Sequence, residues 1–229
     1  MNGAFITATD TGVGKTFVAC ALLRAAVRRG LRVAAMKPCE TGEGDDGERL
    51  IAATGRALDP NLARPYRFAI PASPEAAAAA EHATVDVDRI TSAFHALAAD
   101  ADLTIVEGAG GLLVPLAPGV LMVDLAARLG LPLLIVARAS LGTVNHTLLT
   151  IEAARRRDLR VAGVIFTRAS DSHGADEATN PLAIATHGKT HILGALPHVT
   201  DAAQLDELAE RFLLVDDILK LCQIQPRAR

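Results

Sequence analysis

The chain has 229 residues, half of them hydrophobic and 21% charged, a balance that excludes a disordered polymer and fits a globular fold with a buried core. Its 23 Lys and Arg against 26 Asp and Glu leave a formal net charge of −3, which argues against a broad basic face for nucleic acid but allows a local phosphate site. Cys20, Cys39 and Cys222 are scattered and form no CxxC pair, so neither a disulfide framework nor a zinc site is expected, and a reducing, cytoplasmic compartment fits them.

The N-terminus, Met1 to Ile6, carries no basic region and reads as no signal peptide. The most apolar stretch, Leu129 to Val136, ends near Arg138 and is too short to span a membrane. Short apolar runs follow one another along the chain: Ala4 to Ala8, Leu31 to Met36, Leu103 to Val106, Pro132 to Ala137, Val161 to Thr167 and Ile192 to Leu196. Each is nearly continuous rather than alternating, the pattern of a strand covered on both faces of a parallel sheet. Helical patterns lie between them over Thr16 to Arg29 (closed by Gly30), Val87 to Ala99, Asn145 to Arg157 and Gln204 to Cys222. The alternation predicts an α/β fold, a mostly parallel central sheet with helices on both faces, in one domain over 1–229. Cys39 to Ala83 breaks the rhythm and reads as an insertion: an acidic loop, a short helix and two proline-bounded segments.

The first strand runs into Thr9-Asp10-Thr11-Gly12-Val13-Gly14-Lys15-Thr16 at the start of the first helix. Gly-Lys-Thr at such a junction is what a nucleotide phosphate loop needs. The helix N-terminus presents N–H groups to anions, Gly14 lets the backbone approach, Lys15 reaches the outer phosphates, and Thr16 offers a hydroxyl to Mg²⁺. The first glycine of the strict loop pattern falls on Thr9, so the loop is P-loop-like rather than a literal match.

In an open parallel sheet, ligands sit beyond the carboxyl ends of the strands. The second run ends in Lys37, a cation placed to face a γ-phosphate or an anionic substrate, with Thr41 a short loop away. The third ends in Glu107-Gly108-Ala109-Gly110-Gly111, an acid in the position that holds Mg²⁺ followed by glycines that let backbone approach a ligand. Asp45, Asp46 and Glu48 in the insertion are candidates to complete a metal shell, and spacing does not choose among them. The fourth run leads into Ser140 to His146, suited to binding a carboxylate at a helix start, with Thr143 or Asn145 as a capping residue. No Gly-x-Ser-x-Gly elbow or Cys/His pairing points to covalent catalysis.

These segments, together with Lys37-Pro38, Pro71-Ala72-Ser73-Pro74 and Gly194-Ala195-Leu196-Pro197 in the same order, resemble the motifs of the dethiobiotin synthetase family over nearly the whole chain. The resemblance implies a P-loop NTPase-like homodimer that uses ATP, Mg²⁺ and CO₂ to close a cyclic urea on 7,8-diaminopelargonic acid. It implies ATP phosphates on Gly12, Val13, Gly14, Lys15, Thr16 and Phe17, and Mg²⁺ on Thr16, Asp46 and Glu107. Gly108, Ala109 and Gly110 join the nucleotide site, and Thr167, Pro197, His198 and Val199 enclose the adenine. Lys37 takes the active-site lysine position alongside Lys15 and Thr11. Thr11, Lys37 and Thr41 lie in the diamine site, and Leu141, Gly142, Thr143 and Asn145 meet the substrate carboxylate across the dimer interface.

The chain departs from the family at Ala8, where glycine is usual, at Gly12, where an acid is frequent, and at Glu75, where histidine is frequent. At Thr167 the family usually has an asparagine whose amide reads adenine; one hydroxyl cannot make that two-point contact, so weaker discrimination among nucleoside triphosphates is expected. The nearest rival reading is another P-loop ATPase with the same sheet: an amidase-like synthetase, or a partitioning or regulatory ATPase. Partitioning ATPases of the deviant type carry a signature lysine early in the loop, where Asp10 stands here.

Overall fold

The computed structural model describes residues 2–168, 178–198 and 204–222. In chain order, β1 (Gly3–Ala8) leads through the glycine-rich loop into α1 (Lys15–Arg28) and β2 (Val33–Met36). The inserted segment holds β3 (Cys39–Thr41), α2 (Asp46–Ala53), α3 (Pro60–Ala63), β4 (Tyr66–Phe68) and α4 (Pro74–Ala80). Next come α5 (Val87–Ala98), β5 (Leu103–Glu107), the hairpin β6 (Pro115–Ala117) and β7 (Val120–Leu121), and α6 (Met122–Leu129). The chain continues through β8 (Leu133–Arg138), α7 (Thr143–Arg155), β9 (Val161–Thr167), α8 (Asn180–Gly188), β10 (Ile192–Leu196), α9 (Leu205–Phe212) and α10 (Val215–Leu221).

Six strands form one sheet in the order β10-β9-β8-β1-β5-β2, every neighbouring pair parallel. The continuous apolar runs have their expected cause: side chains alternate between two covered faces. In β1, Ala4, Ile6 and Ala8 enter the core shared with α1, α9 and α10, whereas Phe5 enters the opposite core, with Ile90 and Phe94 of α5 and Met122 of α6. Helices therefore cover both faces of a parallel sheet, the architecture of P-loop NTPases. Among the described residues no helix is long and apolar enough to cross a membrane.

Register sets the edge where the site lies. Ile6 stands opposite Glu107 and Met36 opposite Val106, so Lys37, just past β2, emerges beside Glu107 at the end of β5. Thr9 N–H donates to Val136 O and Gly108 N–H to Ile6 O, tying the starts of the loops to the sheet.

Several boundaries differ from the sequence reading. β2 begins at Val33, not Leu31, because Leu31 N–H closes α1 on Ala26 O and Arg32 N–H binds the Asp102 carboxylate. α7 begins at Thr143, two residues earlier than expected. Gly142, with φ 91°, takes the cap position, so neither Thr143 nor Asn145 caps the helix with its side chain. The expected C-terminal helix splits into α9 and α10, because Leu213 bridges to Gly194 and Leu214 N–H donates to Leu193 O. The insertion is more ordered than a loop: β3 and β4 pair in parallel, and the acidic stretch opens α2. Helices α6 and α8 were not anticipated; each is eight or nine residues long, too short for periodicity to stand out.

Gly194 makes the C-terminal docking possible. Its φ is +130°, and an added Cβ would lie 2.2 Å from Phe212 O. Gly30 also has a positive φ, +78°, but open space around it. Gly194→Ala is expected to lower the unfolding free energy in urea by about 2–3 kcal/mol and Gly30→Ala by about 1 kcal/mol. Equal losses would contradict this packing of α9 and α10 against β10.

Candidate active site

The segment from Thr9 to Gly14 turns the chain from β1 into α1 through two left-handed glycines, Gly12 at φ 67° and Gly14 at φ 95°. Gly14 occupies the cap position of α1, and no side chain caps the helix, so its first-turn N–H groups face outward as an anion cradle. The loop is braced from β9: the Thr167 hydroxyl donates to Val13 O, and its methyl group would lie 3.2 Å from a Cβ at Gly14. Lys15 opens α1 and is buried; burial, and then the charge of Lys37, lowers its pKa.

Behind the loop lies a buried polar cluster. Lys37 Nζ sits 2.5 Å from Glu107 Oε1 and 2.8 Å from Asp46 Oδ2. Thr16 Oγ1 is 2.8 Å from Asp46 Oδ1 and 3.0 Å from Glu107 Oε1, so its one hydroxyl hydrogen is shared between two acceptors. Glu107 is fully buried, and its Oε2 accepts no hydrogen bond among the described residues. Burial works to lower the Lys37 pKa, but Glu107 and Asp46 outweigh it and hold the ammonium protonated. Burial likewise opposes ionisation of Asp46, and Lys37 with the Thr16 hydroxyl prevails, so its carboxyl lies below the usual range. Of the acids left open by spacing, Asp46 faces Thr16 and Lys37, whereas the Asp45 side chain is exposed and approaches Arg49.

A second buried acid anchors Asp46. Glu40, on β3, accepts from Gly47 N–H at 3.3 Å and from Arg64 Nη1 at 2.8 Å. Gly47 is needed there, because a Cβ would lie 2.8 Å from Arg64 Cδ. Arg64 also reaches Glu48 at 2.7 Å. The start of α2, and with it the Asp46 carboxylate, is thereby fixed against the sheet edge.

Two cavities flank the loop. One, of about 290 Å³, brings together Thr11, Lys15, Thr16, Lys37, Thr41, Asp46, Glu107, Ala109 and Gly110. The other, of about 260 Å³, is lined by Gly12, Val13, Gly14, Thr167, Leu196, Pro197 and His198. Phe17 borders both. Gly108 lines neither cavity; a Cβ there would press on the Phe5 ring at 2.9 Å. Val199 falls outside the described residues. Leu141, Gly142, Thr143 and Asn145 line neither cavity; Leu141 is 88% exposed, Gly142 and Asn145 are exposed, and Thr143 is buried against Thr147.

Sequence reasoning missed Glu40, Arg49, Arg138 and Arg168, all of which border these cavities. Arg138 had a signal: it ends β8 as Glu107 ends β5. Arg49 stacks its guanidinium over the Phe17 ring, 4.7 Å from the centroid, a pairing between α1 and α2 that no local pattern reveals. Cys39 also borders the larger cavity, but burial pushes its thiol up to about 12, which suits a packing role rather than a nucleophile.

Comparison with known proteins places the chain in a family. A family model described as an AAA domain matches residues 2–205. An ATP-dependent dethiobiotin synthetase BioD from Anaeromyxobacter dehalogenans strain 2CP-C is 48% identical over 208 residues, covering 89% of this chain and 93% of the relative. A protein of the same name from Aromatoleum aromaticum is 43% identical over 209 residues, covering 86% and 91%. Among solved structures, the MinC:MinD cell division protein complex of Aquifex aeolicus matches with a TM-score of 0.60 at 15% identity, covering 100% of this chain and 99% of that one. The cell division ATPase MinD of Pyrococcus furiosus matches with a TM-score of 0.60 at 16% identity, covering 96% and 100%. Those two likenesses concern the fold alone. The sequence relatives span nearly the full length, and the chain belongs to the ATP-dependent dethiobiotin synthetase family.

Proposed function

We propose that this chain is the ATP-dependent cyclo-ligase that makes dethiobiotin from 7,8-diaminopelargonic acid and CO₂, releasing ADP and phosphate. The observation that carries the reading is the cavity beside the phosphate loop, where two lysines, three carboxylates and three threonines line a common space. Family membership supplies the reaction class.

In this reading the triphosphate lies along the first turn of α1, over Gly12 to Phe17, with its base in the smaller cavity between Thr167 and Pro197, His198 and Val199. Ala109 and Gly110, which follow Gly108, bring backbone close to the outer phosphates. Thr16, Asp46 and Glu107 form an all-oxygen donor set suited to Mg²⁺, and the buried Glu107 Oε2, with no partner of its own, is one acceptor such an ion would satisfy. Bound there, Mg²⁺ would neutralise charge on the outer phosphate oxygens.

The diamine enters beside Thr11 and Thr41. One amine adds to CO₂ and loses a proton, giving a carbamate. A carbamate oxygen attacks the γ-phosphorus and ADP leaves, forming a carbamic–phosphoric anhydride. The second amine attacks the anhydride carbonyl, the urea ring closes, and phosphate leaves. Each step gathers anions at one place, so the protein's work is charge neutralisation and alignment by Lys15, Lys37 and backbone donors, with no enzyme nucleophile.

A homodimer completes this reading. Leu141 and Leu149 are exposed on the α7 side and Leu113 on the loop after β5, apolar surface that suits a second copy. Leu141, Gly142, Thr143 and Asn145 would then meet the substrate carboxylate from the neighbouring subunit. The chain works as a single P-loop domain in the cytoplasm.

Phosphate release is expected to require both diaminopelargonate and bicarbonate, and release indifferent to either would contradict a synthetase. Lys37→Ala is expected to lower ring closure by roughly 10²-fold or more, with the circular-dichroism spectrum retained. Product formation within a fewfold of wild type would remove Lys37 from the reaction. The commitment of the Thr167 hydroxyl to Val13 leaves the base without an amide partner, so turnover with ATP and with other nucleoside triphosphates is expected to be comparable. Strong selectivity for ATP would contradict that assignment.

A further inference from the structure

Two carboxylates in this site are called on by two cations. Lys37 Nζ is bonded to Asp46 Oδ2 and Glu107 Oε1. The same two carboxylates, with the Thr16 hydroxyl, are the donors assigned above to the divalent ion. Thr16 Oγ1 lies within hydrogen-bond distance of both acids and meets the ammonium at a shared acceptor, Glu107 Oε1; on Asp46 the two take opposite oxygens.

The surroundings leave the lysine one freedom. Its backbone is pinned, with Lys37 N–H donating to Ala63 O at 2.7 Å. Glu107 is fixed at the end of β5 and is fully buried. Asp46 is held by α2, whose next residue bonds to Glu40. The four-carbon arm of Lys37 has room to swing, because the cavity beside it is bordered by Thr11, Lys15, Thr41 and Gly110, where the reacting anions belong in this reading.

Charge balance points the same way. Lys15 and Lys37 offset Asp46 and Glu107, so the cluster is neutral as it stands. A dication added to the same acids, with the ammonium kept in place, would leave an excess of two positive charges in a buried site. Moving the ammonium toward the triphosphate and carbamate removes that repulsion and puts the charge where negative charge accumulates.

We propose that Lys37 and the divalent cation compete for Asp46 and Glu107, so that metal binding expels the Lys37 ammonium from the carboxylates into the substrate cavity. Metal and lysine thus act as one switch: the cation that steadies the carbamate is released only once the ion that steadies the triphosphate is seated. This inference deepens the functional reading above and rests on it for the identity of the metal ligands.

The test follows Mn²⁺ binding to the full chain by electron paramagnetic resonance, with and without ADP, in wild type, Lys37→Gln and Glu107→Gln. Without nucleotide, Lys37→Gln is expected to bind Mn²⁺ roughly tenfold tighter or more than wild type, because the carboxylates lose the ammonium that competes for them. Mn²⁺ alone is then expected to raise the Tm of Lys37→Gln and to leave that of wild type unchanged. A second measurement uses wild type only. The chain has four lysines, so ¹⁵N NMR of side-chain ammonium groups can follow Lys37 directly. Its signal is expected to shift on adding Mg²⁺ with ADP, and to hold its position with ADP and a chelator. Equal Mn²⁺ affinity in Lys37→Gln and wild type, or a Lys37 signal indifferent to Mg²⁺, would overturn the competition. Glu107→Gln separates the two readings. Loss of Mn²⁺–ADP binding in that variant keeps the metal assignment even where the competition fails, whereas undiminished binding would sink the assignment and the competition together.

Discussion

A lysine buried between two carboxylates is tolerable only while all three stay paired, because an unpaired charge in so dry a place costs several kcal/mol. In this chain the three belong to different elements: Lys37 follows β2, Glu107 ends β5, and Asp46 opens α2 in the inserted segment. Thr16, in the first turn of α1, bonds to both acids. The phosphate loop, the sheet edge and the insertion are therefore held in one arrangement by one ionic cluster. The remaining architecture serves that arrangement. Parallel pairing of β1, β5 and β2 sets the register that brings Lys37 beside Glu107, and the Glu40–Arg64 pair holds the insertion in place.

Much of this was legible in the amino-acid order because it is local. The Gly-Lys-Thr junction, the lysine after one apolar run and the glutamate ending another all follow from the rule that parallel sheets present chemistry at their carboxyl ends. Continuous apolar runs gave the six strands of the main sheet for the same reason: both faces are covered. What stayed hidden depends on distant contacts. Asp45 and Asp46 are adjacent and chemically alike, and only the pitch of α2 against Thr16 separates them. The break between α9 and α10 is set by pairing of Leu213 with Gly194, almost twenty residues away, not by a helix-breaking residue. Glu40 reads as one more charge at the start of the inserted segment, and its burial becomes visible only once Arg64 and Gly47 close over it.

Thr167 spends its side chain on the fold. Its hydroxyl holds Val13 and its methyl group presses toward Gly14, so a residue lining the smaller cavity braces the phosphate loop. The same sheet in MinD-type proteins, at 15–16% identity, shows that the scaffold alone does not decide the chemistry. What distinguishes this chain is the set of side chains at the sheet edge, above all Lys37 with Thr11 and Thr41, facing a cavity of about 290 Å³.

The most direct test of the central claim is a crystal structure of the protein with diaminopelargonate, Mg²⁺ and a non-hydrolysable ATP analogue. The account predicts a metal ion on Thr16 Oγ1, Asp46 and Glu107, the γ-phosphate over Lys15, and the two amines between that phosphate and Thr41. A metal ion bound elsewhere, or a diamine remote from the γ-phosphate in a site without Lys37, would contradict it.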